Sequence, residues 1–398
     1  MSNILETANS RAADDLINSL LYVTPKLHTV LQSNDRVLSA IDTMSRSVIG
    51  PAVHARSFPE NINIDHLRLF ENIAQQNPTA KTWKKDITDA FYNPRLLTCT
   101  VDLVNDGWLP LIRKWALSDK DRFPELLSKL TAPSTAGIMF GVGANAARLE
   151  ADRRTQLILR RTVLFLLSCE QDTHVGNLEL ILNWLVELCA ADASSSPSSA
   201  TRAEVFLVLR AIVLSFTSVH LSAVWPVLNS ALQSAISSCF PNGLDQDTFG
   251  NLSLLQACKL LDLLTTLAPD EFQLHEWLYI TNTVDAVYRP TGMDAVALVD
   301  EVAEVLNAES HEPLSYAALA APAQNSSGGR RPCLSTSPVD GADAKAMARN
   351  DFIRSTLQPF FSQLSMYAYE ATYQMGAPDV EACKRSLLED VLDESTMA

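Results

Sequence analysis

The sequence predicts an all-α protein arranged as an elongated array of helix pairs, and three observations lead there. Glycine is scarce, 13 residues in 398, too few for the tight turns that a many-stranded sheet needs. Leu- and Ala-rich runs recur along the chain with their apolar residues at helical spacing. Helix pairs follow one another at roughly forty-residue intervals, the period of HEAT and armadillo arrays. No repeat consensus aligns from one pair to the next. The α-solenoid therefore rests on helix density and spacing, with a compact helical bundle as the alternative.

The elements follow in order. "ADDLINSLLYVTPKLHTVL" and "NDRVLSAIDTMSRSVI" open the chain, the second with Asn34 or Asp35 as its cap. "NIDHLRLFENIAQQ", "TAKTWKKDITDAF", "WLPLIRKWAL" and "KDRFPELLSKL" continue the helical pattern. A long helix, charged and then apolar, is expected from near Ala144 to about Ser168. "NLELILNWLVELCAA" ends at the polar Ser/Pro insert "DASSSPSSATR". Two apolar helices joined near Ser218 account for residues 205–228 better than a membrane span does, because Arg210 in the middle of a span costs roughly 2.5–3.5 kcal/mol. The loop "PNGLDQDTFG" leads into "LLQACKLLDLLTTLAPDEFQLHEW", and "MDAVALVDEVAEVLN" is a further amphipathic helix. Three regions result: a helical array over 1–310, a flexible linker over 311–344 and a C-terminal helical segment over 345–398 with the acidic "LLEDVLDES" near its end.

Composition excludes several classes of function. Apolar residues at 47% and charged residues at 19% describe a globular chain. A net charge of −15 opposes nucleic-acid binding, which rests on Lys and Arg neutralising phosphates. Seven cysteines without C-x-x-C spacing, most of them in Leu-rich runs, suggest a reducing compartment with neither zinc nor disulfides. "MSNILETANSRAADD" does not read as a secretory signal.

Two stretches imitate catalytic patterns. Cys258, Asp262 and His275 supply a thiol, a carboxylate and an imidazole. Yet Cys258 lies on the apolar side of its helix, with Lys259, Asp262 and Thr266 as the polar stripe, and "APDEF" breaks the helix before His275. Gly141, Gly143 and Ala146 match G-x-G-x-x-A, with Glu170 placed where a ribose-binding acid would stand. A dinucleotide-dependent enzyme built on that loop is the alternative function. It requires a strand–helix–strand unit, and no turn separates helix from strand between Ala144 and Ser168. "HEWLY" is not H-E-x-x-H, and the seven histidines lack ligand spacing. No catalytic, cofactor-binding or metal-ligating residue is assigned.

Non-catalytic contacts have three candidates. Lys81, Lys84 and Lys85 crowd around Trp83, and Arg153, Arg160 and Arg161 project to one side of a single helix. Either cluster suits an acidic lipid surface or an acidic partner. A solvated face pairing with Glu150 and Asp152 is the plainer reading of the second. Ile353, Leu357, Phe360, Leu364 and Tyr367 follow the four- and three-residue steps of a partner or dimer seam, with a kink expected at Pro359. Ser337-Pro338, close to Arg330 and Arg331, suggests a phosphorylation site in the linker.

Four stretches, "KTWKKDITDAFYNPRLL", "RRTVLFLLSCEQD", "AEVFLVLRAIVLSFTSVHLSAVWPVLNSALQ" and "LLQACKLLDLLTTLAPDEFQLHEWLYI", occur in the order and spacing of the C-terminal region of Dopey proteins. The resemblance is best over 65–280, and the flanks are similar to the fungal version. Dopey proteins are several times longer, so the chain compares with part of one. The resemblance implies a cytosolic scaffold of endosome-to-Golgi transport, peripheral on Golgi and endosome membranes and without an enzymatic site. It further implies partnership with a large Arf-exchange-factor-like scaffold and a phospholipid flippase, and a homodimer through the C-terminal helix.

Overall fold

The computed structural model describes residues 2–130, 144–190, 199–240, 248–280, 297–309, 329–336, 340–373 and 376–397. Among them the regular structure is helical throughout, and the β-type pairing is one isolated bridge between Arg330 and Pro378. The all-α expectation is met. The chain divides into two compact units, Met1–Phe123 and Pro124–Ala398. The division falls inside the stretch expected to be one array, and the C-terminal helices belong to the second unit.

In the first unit the helices α1 (Ser2–Val23), α2 (Asn34–Met44), α3 (Ile64–Gln76), α4 (Lys81–Tyr92) and α5 (Leu109–Leu117) surround one core. Extended Ser33 precedes α2, so Asn34 is its first residue and not its cap. Asn63 caps α3, its side chain accepting from the backbone N–H groups of Asp65 and His66. Phe70 and Ile73, Trp83 and Phe91, and Ile112 and Trp115 fill the space between α3, α4 and α5. Two of the buried indoles have acceptors for their donors, Trp83 Nε1 donating to the Asn77 carbonyl at 2.9 Å and Trp115 Nε1 to Thr88 Oγ1 at 3.0 Å, while Nε1 of buried Trp108 has none.

The second unit contains α6 (Ala144–Ser168), α7 (Leu178–Ala190), α8 (Ser199–Ser215), α9 (Trp225–Ser237), α10 (Asn251–Leu267), α11 (Asp270–His275), α12 (Leu298–Glu309), α13 (Gln358–Tyr373) and α14 (Val380–Leu392). The long helix anticipated from Ala144 to Ser168 occupies those residues, and the apolar run after 203 breaks after Ser215 as expected. α8 packs against both α6 and α10, and every residue from Thr201 to Ser215 is buried. Enclosure on all sides explains why its sequence is apolar enough to resemble a membrane span. Among the described residues no single helix is long and apolar enough to cross a membrane. Among the described residues α10 with the stretch Asp270–Leu278 reaches that length and apolarity only as a pair bent by 114°, and α10 is interior to its unit.

α10 ends where Ala268 turns left-handed, its N–H closing on the Leu264 carbonyl at 2.8 Å, and Pro269 then opens α11. A π turn over Ile353–Leu357 leads into α13. Pro359 thus lies inside helical backbone that continues from Arg349 to Tyr373, and the irregularity expected there takes the form of the π turn immediately before it.

Most of the expected linker, 311–328 and 337–339, lies outside the described residues, as does Ser337. Its piece 329–336 is docked: Arg330 exchanges backbone hydrogen bonds with Ala377 and Asp379, and Cys333 and Leu334 are buried.

One close approach in the first unit gives a test. A Cβ on Gly107 would stand 2.5 Å from Leu67 Cδ1 and 3.1 Å from Ile64 Cδ1, and Leu67 is buried and cannot swing aside. Gly107→Val should destabilise this unit by about 2 kcal/mol or more through overpacking, measured as a lower urea midpoint in tryptophan fluorescence. An unchanged midpoint would refute the close packing.

Candidate functional site

The stretch that imitates a thiol hydrolase is interior wall. Cys258 is buried, and burial pushes its thiol well above the ordinary value. His275 lies on α11, beyond the bend, with its ring 5.8 Å from that of Trp225. Asp262 faces neither of them as an orienter. Its carboxylate accepts the backbone N–H groups of Cys333 at 3.0 Å and Leu334 at 2.7 Å. Burial pushes Asp262 up to about 6, against the lowering effect of those bonds and of Arg210. Gly141 and Gly143 lie outside the described residues. The helix behind them runs unbroken to Ser168 and is followed by a turn and α7, not by the second strand a dinucleotide fold requires. Among the described residues no group of three or more His, Cys, Asp or Glu side chains is placed to hold a metal.

The three surface candidates fare differently. Lys81 and Lys85 are exposed and Lys84 is part-buried, its ammonium 5.8 Å from the Trp83 ring, while Trp83 itself is buried. Arg153 is exposed, but Arg160 and Arg161 are buried and take no part in an outward patch. The helix is exposed at Arg153 and enclosed on all sides from Thr155 to Ser168, which takes Arg160 and Arg161 inside. The C-terminal seam also turns inward: Ile353, Leu357, Phe360 and Leu364 are buried within their own unit and Tyr367 is part-buried, as α13 packs on α10 and α12. That face is therefore not available as a dimer seam in this fold.

What these side chains build is a row of buried polar contacts. Arg160 is 1% exposed, as is Glu204 of α8, and the two pair at 2.7 Å. Arg160 also donates to the carbonyls of Val391 at 2.9 Å and Asp393 at 2.7 Å, and to Thr396 Oγ1 at 2.5 Å. With Nε on Glu204, every N–H-bearing nitrogen of this guanidinium has an acceptor. One turn and a half further along α8, Arg210 meets Gln256 of α10 at 2.8 Å and Asp390 of α14 at 2.5 Å. Lys259 reaches the other oxygen of Asp390 at 2.6 Å. Burial acts to raise the Asp390 carboxyl, but Lys259 and Arg210 together hold it below the ordinary carboxylate value.

Further contacts complete the row. Asn251 at the start of α10 donates to the carbonyls of Ala344 and Met347, and Arg349 to those of Phe249 and Ser238. Lys345 donates to the carbonyls of Ser395 and Met397. Residues 333–334, 344–349 and 386–397 are thereby fastened across α6, α8 and α10.

Sequence reasoning assigned none of this. Lys259, Asp262 and Thr266 read only as a polar stripe, and Asp390 as part of an acidic tail. The available signal was Arg210, a cation inside an apolar run that needs a buried partner.

Asp390→Asn leaves two cations facing a neutral amide. It should destabilise the second unit by about 3–5 kcal/mol, read by denaturant unfolding and by faster amide exchange in α14. The folded-state carboxyl lies below its ordinary value of 3.8, so its stabilisation is complete above that pH and is lost as pH falls beneath it. The variant should lack this part of the acid limb. An acid limb identical to that of the parent chain would rule out the charged knot.

The comparisons with known proteins bear on the whole chain. It is 45% identical over 389 residues to Protein dop1 of Emericella nidulans, an alignment covering 97% of this chain and 20% of the relative. It is 22% identical over 393 residues to Protein DOP1 of Saccharomyces cerevisiae, covering 96% of this chain and 21% of the relative. Protein DOP1B of Xenopus laevis matches at 22% over 312 residues, 70% of this chain and 13% of the relative. The chain thus spans about a fifth of the length of the fungal relatives it matches. No solved structure matches it significantly. The family model described as DOP1 C-terminal matches residues 1–374, well beyond the stretch 65–280 on which the resemblance is clearest, and the chain belongs to the Dopey family.

Proposed function

We propose that the chain is a non-catalytic helical scaffold in endosome-to-Golgi vesicle-mediated transport, attached peripherally to Golgi and endosome membranes. Membership of the Dopey family supports the trafficking role. The buried ionic groups of the second unit support the non-catalytic one, since they are spent on fastening helices and segments together. The proposed partners are a large Arf-exchange-factor-like scaffold and a phospholipid flippase.

The observation that carries the membrane contact is the placement of Lys81, Lys84 and Lys85. All three lie in the first five residues of α4, whose first turn contains no acidic residue. Cations at a helix N-terminus oppose the helix dipole by about 0.3–1 kcal/mol each. An anionic surface would offset this, contributing roughly 1 kcal/mol per lysine near a charged membrane.

Two measurements test the reading. Flotation with vesicles containing phosphatidylserine should fall about tenfold or more in the variant Lys81→Glu, Lys84→Glu, Lys85→Glu. Equal flotation of the variant and the parent chain excludes this face. Affinity capture of the tagged chain from a eukaryotic lysate, followed by quantitative mass spectrometry, should recover the exchange-factor-like scaffold or the flippase. Recovery of neither under conditions that preserve both would refute the partner assignment.

A further inference from the structure

One thiol of the second unit differs in its surroundings from the other described cysteines. Burial pushes Cys99, Cys239 and Cys383 up to about 12, Cys258 well above its ordinary value, and Cys189 upward. Cys333 is buried. Cys169 is part-exposed at the end of α6, and its Sγ lies 3.3 Å from Nε2 of His174. The imidazole is held in that position. Its ring rests against Phe165, centroids 5.2 Å apart. The turn that carries it is pinned at Asp172, whose carboxylate accepts from the Thr217 N–H at 2.9 Å and the Thr217 hydroxyl at 2.8 Å. The N–H of Asp172 in turn donates to the Ser215 carbonyl at the end of α8. Ser168 Oγ, 3.6 Å from the sulfur, already donates to the Phe165 carbonyl at 2.7 Å, so its proton is committed and it can serve the thiol only as an acceptor.

We propose that Cys169 and His174 form a thiol–imidazole pair that makes Cys169 a site of covalent modification by small disulfides. His174 Nε2 takes the thiol proton as Sγ attacks one sulfur of the disulfide. A new S–S bond forms at Cys169, the disulfide's own S–S bond breaks, and the departing thiolate takes the proton from His174. Cys169 is oxidised to a mixed disulfide, and half of the small disulfide is reduced to a thiol. Burial lowers the His174 pKa, which keeps the ring neutral and able to accept at neutral pH. The other titratable groups about the turn are Glu170 and Asp172 on the turn itself and His220 across from Asp172. Glu170 and Asp172 repel an anionic reagent, so a neutral probe separates thiol activation from charge steering.

The full chain is treated with bis(2-hydroxyethyl) disulfide across pH 5–9, and adducts are located by peptide mass spectrometry. The expected result is that Cys169 is modified first, with a rate rising through a midpoint below the roughly 8.5 of an ordinary thiol. His174→Gln should slow it about threefold to tenfold at pH 7 and return the midpoint to the ordinary thiol range. Cys258 must stay unmodified in that variant, which shows that the fold is kept. If His174→Gln unfolds the chain, the midpoint in the parent chain decides alone. A first adduct at another cysteine, a midpoint at or above the ordinary value, or a folded His174→Gln variant that reacts as fast as the parent would overturn the proposal.

Discussion

The second unit depends on a salt bridge that water cannot reach. Arg160 and Glu204 are both buried, and removing a charge from water costs several kcal/mol unless it finds full replacement for its hydration. Full replacement here needs more than the pair. Two carbonyls and a hydroxyl from residues 391–396 complete the guanidinium's coordination. The interior of the helical array is thus polar at chosen points, and those points are satisfied only when the C-terminal segment is in place. Arg210 and Lys259 also depend on that segment, sharing the two oxygens of Asp390, although Nε of Arg210 is left without an acceptor. Apolar burial supplies most of the driving force, through residues such as Phe360, Leu364, Leu387 and Val391. The ionic groups set the register, because an apolar face tolerates a sliding helix and a guanidinium with named acceptors does not.

Much of the helical architecture was legible because it is a local property. The run from Ala144 to Ser168 contains no breaker and forms one helix over those residues. The break after Ser215 and the left-handed stop at Ala268 occur where turn and breaker residues cluster. Which way a face points is not local. Arg153, Arg160 and Arg161 share an arc, but only the packing of α8 and α14 decides that Arg160 faces inward while Arg153 stays in water. The seam from Ile353 to Leu364 has the spacing of a partner contact, and its partner is the chain's own α10 and α12. Asp390 is 180 residues from Arg210. No window of sequence contains both, so each reads alone as a misplaced or a solvated charge.

The first unit obeys a simpler rule. Its core is largely aromatic and aliphatic, the indole donors of Trp83 and Trp115 end on nearby acceptors, and Lys81 and Lys85 at the start of α4 stay outside. The contrast between the units follows from how each uses cations, as surface charge in one and as interior fasteners in the other. In this chain the contrast separates two kinds of substitution. Changes at Lys81 or Lys85 alter what the surface attracts, whereas changes at Arg160, Arg210 or Asp390 alter whether the second unit holds together.

The distance along the chain between Arg160 and its last acceptors has a consequence for synthesis. Val391 follows Arg160 by 231 residues. At translation rates of about 5–20 residues per second, α6 leaves the ribosome roughly 10–50 s before the residues that complete its coordination. During that interval the nascent α6 and α8 hold ionic groups that must either stay hydrated or be shielded by a chaperone. A premature stop upstream of Asp390 would make this interval permanent, so a product truncated there should be degraded rather than persist with its second unit folded.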